Sequence, residues 1–281
     1  MKKSLSGVLL TAPLLAGCLV FYAVPFGITL WYSLTSGRGA SAHFVGLEHY
    51  KSLLKNHNFL LAFGNTMAFL AVGLPLIMVL SYLIALLFQK QAGKHQLLKS
   101  VFLLPYIMPV AGTVLLVNSI FTQDGALNAF SSLLGAAPKD WLSGPQAFGV
   151  VVLLFLWKNS GYSTILLLAG LVTIPGDQYE SADLDGATSW QKFLYITTPQ
   201  MWYSVFFALV FSVINSFKCF REIFLIGGQH PHSSIYMLQH FINNGFAKLN
   251  YARLSVASVL LLLVLLIFFA SFYRFVRKRE V

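Results

Sequence analysis

Acidic side chains are scarce in this chain: nine Asp and Glu face nineteen Lys and Arg over 281 residues. Charged residues make up only 10% of the sequence and hydrophobic ones 57%, which excludes a soluble globular protein. Cysteine is nearly absent. Cys18 and Cys219 lie in or beside apolar runs without metal-ligand spacing, so no disulfide is expected and nothing is learned of the redox compartment. A phosphate-cradling loop of the form G-x-x-x-x-G-K-[ST] is missing too. The one Gly-Lys pair, Gly93-Lys94, is followed by His95 and has no upstream glycine, so the chain carries no ATPase motif of its own. No Ser/His/Asp set and no carboxylate pair sits where a cavity would gather it, so nothing supports an enzyme. His230, His232 and His240 form too weak a pattern for a metal site, and none is expected. The net charge of +10 would suggest nucleic acid in a soluble protein; beside apolar runs it indicates membrane topology and contact with anionic lipid instead.

What the chain has in quantity is long apolar runs. Six are long enough to cross a bilayer core of about 30 Å: Leu5 to Leu34, Phe59 to Phe88, Val101 to Phe121, Ala147 to Leu171, Tyr203 to Ile226 and Leu254 to Tyr273. The expected fold is therefore an all-α membrane bundle of six helices. Leu15-Ala16-Gly17-Cys18 imitates a lipoprotein cleavage site, but the apolar run continues past it, and an uncleaved first span is expected. Pro75 is expected to kink the second span, and Pro105 and Pro109 lie near the start of the third. After the first span, the polar segment Thr35 to Asn58 suggests a short amphipathic helix on the outer surface, with Tyr50, Leu53 and Leu54 turned to the membrane interface.

Basic residues set the orientation. With both termini cytoplasmic, the inner segments carry Lys2, Lys3, Lys90, Lys94, Lys99, Lys192, Arg274, Arg277, Lys278 and Arg279. The outer ones carry only Arg38, Lys51, Lys55, Lys139, Lys248 and Arg253. This puts the loop between the fourth and fifth spans, Ile174 to Pro199, on the cytoplasmic side.

That loop holds Asp177, Glu180, Asp183 and Asp185, four of the nine carboxylates. Its pattern predicts two short helices. Asp177 is expected to cap the first, with Glu180 completing a capping box. Gly186 breaks it, Ser189 is expected to cap the second, and Thr198-Pro199 to stop that one. Trp190, Phe193 and Leu194 fall on one face of the second helix.

Glu180-Ser181-Ala182, three residues, then Gly186-Ala187 and a downstream Pro199 resemble the "EAA" loop of the permease subunits of bacterial ABC importers. Ser181 stands where Ala is usual, and Thr198 where an apolar residue precedes the proline. Phe44-Val45-Gly46-Leu47-Glu48-His49-Tyr50 resembles a signature of sugar importers of the maltose and glycerol-3-phosphate type, with His49 in place of Asn. Gly227-Gly228-Gln229-His230-Pro231 is similar to that family's glycine-rich segment after span five, less one glycine.

The resemblance implies a permease of the cytoplasmic membrane of a bacterium that imports a sugar or sugar derivative. Its first span and external segment occupy residues 1–58, the family's transmembrane core 59–276, and a basic cytoplasmic tail 277–281. It implies a homologous second permease subunit, two cytoplasmic ATPase subunits and an extracytoplasmic solute-binding protein. This chain then needs no cofactor, because ATP and Mg are bound by the ATPase. Glu180, Ser181, Ala182, Asp183, Asp185, Gly186, Ala187 and Pro199 become the ATPase-coupling loop. Asn65, Asn118, Asn159, Asn215 and Lys218 are candidates for the translocation path, because polar groups inside spans usually face a cavity; buried Asn is also ordinary interhelical glue. An ABC permease for amino acids or peptides stays open. An ion-coupled secondary transporter is disfavoured, since Glu222 is the sole carboxylate near a span.

Overall fold

The structure is a computed structural model that describes residues 5–37, 42–90 and 96–277. Lys2, Lys3, Arg38, Lys94, Lys278 and Arg279 of the charge count, and most of the tail 277–281, lie outside the described residues. The described chain is almost wholly helical and packs as two units, one formed by residues 1–60 with 241–267, the other by 61–240 with 268–281.

In the first unit, α1 (Leu5–Cys18) runs through a widened turn at Leu19–Ala23 into α2 (Val24–Leu34). The antiparallel pair β1 (Thr35–Ser36) and β2 (His43–Phe44) then leads to α3 (Glu48–Leu53). The sequence placed Tyr50 and Leu53 against lipid, and the structure corrects this. The Tyr50 hydroxyl donates to Ser33 Oγ at 2.8 Å, His49 Nε2 lies 3.1 Å from the Thr35 carbonyl, and Leu53 is buried. Ring hydroxyl and imidazole need partners once covered, and the polar end of α2 supplies them. Leu54 alone stays exposed.

α4 (His57–Lys90) runs through Pro75 as one helix. The run expected as a third span does not form one helix. It is broken into α5 (Gln96–Phe102), α6 (Leu104–Ile107) and α7 (Val110–Phe121), followed by α8 (Ala126–Leu133). Pro105 opens α6, and Pro109 forces Met108 into extended backbone before α7 starts. The break is used in packing. The Phe102 carbonyl lies so close to Gly161 of α9 (Ala147–Val172) that a Cβ there would sit 2.0 Å from the oxygen. Gly161→Ala must push these backbones apart and is expected to cost about 1–3 kcal/mol, measured as a lower unfolding temperature in detergent; an unchanged temperature would show that the contact is slack.

α9 packs into the second unit through the buried Val151, Phe155, Leu167 and Leu171 and is lined by small polar residues. Ser163 Oγ and Ser212 Oγ meet at 3.3 Å between α9 and α13 (Trp202–Lys218), and Ser81 Oγ donates to the Ser160 carbonyl at 3.3 Å from α4. Such residues let membrane helices approach closely and satisfy each other's polar groups. The remaining elements are α10 (Gly176–Leu184), α11 (Ser189–Lys192), α12 (Thr198–Gln200), α13 (Trp202–Lys218), α14 (Phe220–Gly227), α15 (Leu238–Ala247) and α16 (Tyr251–Arg277). Among the described residues five helices are long and apolar enough to cross a membrane: Leu10–Leu34, His57–Gln89, Ala147–Val172, Trp202–Gly227 and Tyr251–Arg277.

Candidate functional site

Two features stand out in the second unit: a helical hairpin between α9 and α13, and a polar pocket beside α9.

The hairpin begins at Pro175, whose extended backbone (ψ 135°) starts α10; no side chain caps it, so Asp177 and Glu180 do not form the expected capping box. Asp177 lies in the first turn, where its charge still suits the positive helix end. Gly186 ends α10 with φ +76°, and the Gly186 and Ala187 N–H groups donate to the Asp183 and Ala182 carbonyls. This paired closure needs a left-handed residue, for which glycine is suited. Thr188, not Ser189, caps α11: its hydroxyl accepts from Gln191 N–H while Gln191 Oε1 accepts from Thr188 N–H at 2.7 Å. Ser189 could not have built that box, because the residue three on is Lys192, which has no acceptor.

Nor does Thr198-Pro199 end the second helix. The chain widens into a π-type turn at Phe193–Thr197, in which Thr198 N–H reaches the Phe193 carbonyl, and Pro199 falls in the first turn of α12. The missing proline N–H costs nothing there. Three side-chain links tie the two arms: Lys192 Nζ to Asp183 Oδ1 at 2.6 Å, Gln200 Nε2 to Gln178 Oε1 at 2.6 Å, and the Tyr179 and Thr197 hydroxyls at 2.9 Å. At its base, Ile174, Tyr179, Ile196 and Met201 pack with Leu167 and Leu171 of α9 and Ala85 of α4. Elsewhere the hairpin presents exposed apolar side chains: Leu184 is 90% exposed, Tyr195 72% and Trp190 68%. Trp190 stacks on Phe193 at 5.4 Å, and Phe193 sits edge-on to Tyr82 of α4. Leu184 and Tyr195 were not singled out from the sequence; neither belongs to the motif.

The pocket, of about 220 Å³, is lined by Tyr106, Lys158, Asn159, Asn215, Lys218, Cys219, Arg221 and Glu222. It brings together three of the five path candidates, Asn159, Asn215 and Lys218. The other two do not line it. Asn65 Nδ2 donates to the Ser233 and Tyr236 carbonyls at 2.6 and 3.0 Å and so anchors the segment after α14, while Asn118 lies on α7. Lys158, twelfth of the twenty-six residues of α9, forms an ion pair with Glu222 of α14. Sequence reasoning missed this pair, since 64 positions separate its members and no local pattern joins them. Asn159 Nδ2 donates to the Phe155 carbonyl at 2.9 Å, whereas Asn215 Nδ2 and Glu222 Oε2 are buried without partners among the described residues. Tyr106 is stacked on Tyr162 at 4.6 Å, which fixes its ring at the pocket wall. Among the described residues no three His, Cys, Asp or Glu side chains gather where they could hold a metal ion.

His240, fully buried on α15, accepts from Met237 N–H through Nδ1 at 3.1 Å, so its neutral ring carries the proton on Nε2. Phe220 and Tyr236 enclose it. Burial, aided by nearby His230, lowers its pKa from 6.5 to about 4. Because unfolded histidine takes up a proton near pH 6.5 and the folded one does not until about 4, stability is complete above pH 6.5 and falls as pH drops, by up to about 3 kcal/mol. Unfolding temperatures between pH 7.5 and 4.5 should show this slope in the native chain and a flatter one in His240→Asn; equal slopes would refute it.

Residues 58–281 match the family described as binding-protein-dependent transport system inner membrane component. The chain is 29% identical to the trehalose/maltose transport system permease protein MalF of Thermococcus litoralis, covering 99% of this chain and 96% of that one. It is 28% identical to the lactose transport system permease protein LacF of Rhizobium radiobacter, covering 98% and 94%. Its fold is shared with a chain of a bacterial alginate ABC transporter solved in complex with a pentasaccharide-bound periplasmic protein, with a TM-score of 0.81, 21% identity and 96% and 93% coverage. The apolar helices and the family match together identify a multi-pass membrane protein that belongs to the inner membrane components of binding-protein-dependent transport systems.

Proposed function

We propose that the chain is the permease subunit of an ATP-driven importer for a saccharide or saccharide derivative, driven through residues 174–199 by a separate ATPase. The observation that carries this reading is the hairpin. Its base is fastened to α4 and α9, while Leu184, Trp190 and Tyr195 stand exposed on its outer surface. A short helix with exposed apolar side chains fits the groove of a partner. Glu180, Ser181, Ala182, Asp183, Asp185, Gly186, Ala187 and Pro199 shape that hairpin: Gly186 sets its bend and Asp183 ties its arms. The relatives named for trehalose, maltose and lactose support the substrate class.

In this reading the broken segment α5–α7 supplies the sixth crossing, and both termini and the hairpin face the cytoplasm. Irregular backbone at membrane depth is tolerated where protein covers it, and Phe102 is covered by Gly161. A homologous permease, two ATPase subunits binding ATP and Mg, and an external binding protein complete the assembly. ATP-driven closure of the ATPase pair moves the hairpin, and with it α9 and α13, between inward-open and outward-open arrangements biased by differential contacts. Asn159, Asn215 and Lys218 line the path.

The test is a membrane-impermeant thiol reagent applied to Tyr195→Cys in intact cells and in inverted vesicles, with ATP-dependent uptake followed in parallel. Labelling in inverted vesicles alone, together with uptake that stops without ATP, is expected. Labelling from outside, or uptake that continues without ATP, would refute the reading.

A further inference from the structure

The polar pocket carries more positive charge than its structure consumes. Lys158 is neutralised by Glu222, but Lys218 and Arg221 also line it, and among the described residues neither is in an ion pair. They stand on consecutive turns, at the end of α13 and in the first turn of α14. Both residues are exposed, so their charges are free to meet an incoming anion. Deeper in the same pocket, Asn215 is 4% exposed with a partnerless Nδ2 donor, and Glu222 is 3% exposed with a partnerless Oε2 acceptor. Buried polar atoms of this kind normally have partners. A donor, an acceptor and the ring of Tyr106 suit the hydroxyls and apolar face of a sugar. Two further cations do not suit a neutral one.

We infer that this pocket binds an acidic saccharide, with Lys218 and Arg221 on its carboxylate or phosphate and Asn215 and Glu222 on its hydroxyls. The inference rests on the importer reading and narrows it to anionic substrates. Arginine matches either oxyanion with two parallel hydrogen bonds, and lysine adds a movable point charge. Neutral sugars would leave both cations facing a pocket with no anion in it. Glu222, held by Lys158, would repel an acid group that entered reversed, so the charges also orient the guest.

The test uses the complete transporter, this chain with its partner subunits, in lipid nanodiscs. Equilibrium binding is measured with radiolabelled galacturonate trisaccharide, a hexose 6-phosphate and maltotriose. At least one charged probe is expected to bind about tenfold or more tightly than maltotriose, a charge-assisted contact being worth roughly that much, and to weaken with added salt. Which charged probe wins separates carboxylate from phosphate. Lys218→Gln and Arg221→Gln should each weaken that probe about tenfold, and Lys218→Arg should keep most of the affinity, which a merely structural lysine has no reason to do. Maltotriose binding as well as both charged probes, or charged binding indifferent to both substitutions, would overturn the inference. An assembly that hydrolyses ATP and carries maltotriose but neither charged probe overturns it alone; one that recruits no ATPase overturns the importer reading beneath it.

Discussion

Leu184→Asp combined with Trp190→Asp is expected to reduce ATP-driven uptake at least about 100-fold and to release the ATPase from the purified complex, while the chain still reaches the membrane in normal amount. Leu184 is 90% exposed and Trp190 68%, with Trp190 touching the fold through its stack on Phe193. Covering each is worth about 1.5–3 kcal/mol by transfer alone, and large aromatic anchors at the centre of an interface commonly exceed that. A carboxylate buried there without a partner adds its own desolvation cost. Together these exceed the ~2.7 kcal/mol that corresponds to 100-fold. The backbone keeps its bend at Gly186 and its Thr188–Gln191 box, so a loss measured by co-purification and uptake belongs to the surface. Uptake within twofold of the parent would show that this surface is not the docking face.

The second large effect concerns the ion pair between α9 and α14. Glu222→Gln leaves Lys158 charged, and Lys158 and Glu222 side chains are only 14% and 4% exposed. Breaking a buried pair from one side typically costs about 3–5 kcal/mol, and an uncompensated lysine in a membrane helix costs about 3 kcal/mol on insertion scales. The single variant should therefore unfold several degrees lower in detergent. Lys158→Met with Glu222→Leu should recover most of that stability, since an apolar pair of similar volume is often as stable as a buried ion pair, yet it should not recover transport. A double-mutant cycle separates the terms; additive effects would mean that the two charges ignore each other.

Much of the architecture was legible because membrane helices declare themselves by length and apolarity, and five of the expected runs coincide with helical stretches long enough to cross a membrane. The run from Val101 to Phe121 misled because hydropathy does not register where a proline falls relative to a neighbour: its break at Phe102 is matched by Gly161, 59 positions away. In the hairpin, the bend at Gly186 was readable and the caps were not all so. Thr188 and Ser189 are both capping residues, and only the acceptor on Gln191 chooses between them. Pro199 was misjudged because a widened turn can absorb a proline that an α-turn cannot. Asn159, Asn215 and Lys218 were found as polar residues in apolar runs. Glu222 was noticed only as a lone carboxylate, since its partner is brought to it by packing alone.

The widened turn at Phe193–Thr197 has a mechanical consequence. By letting Pro199 pass, it joins α11 to α13 along a course with no glycine from Ser189 to Lys218. Trp190 and Asn215 thus lie on one succession of helical turns, marked by the widened turn and by a further turn at Met201. A push at the tryptophan meets no glycine hinge before it reaches the asparagine.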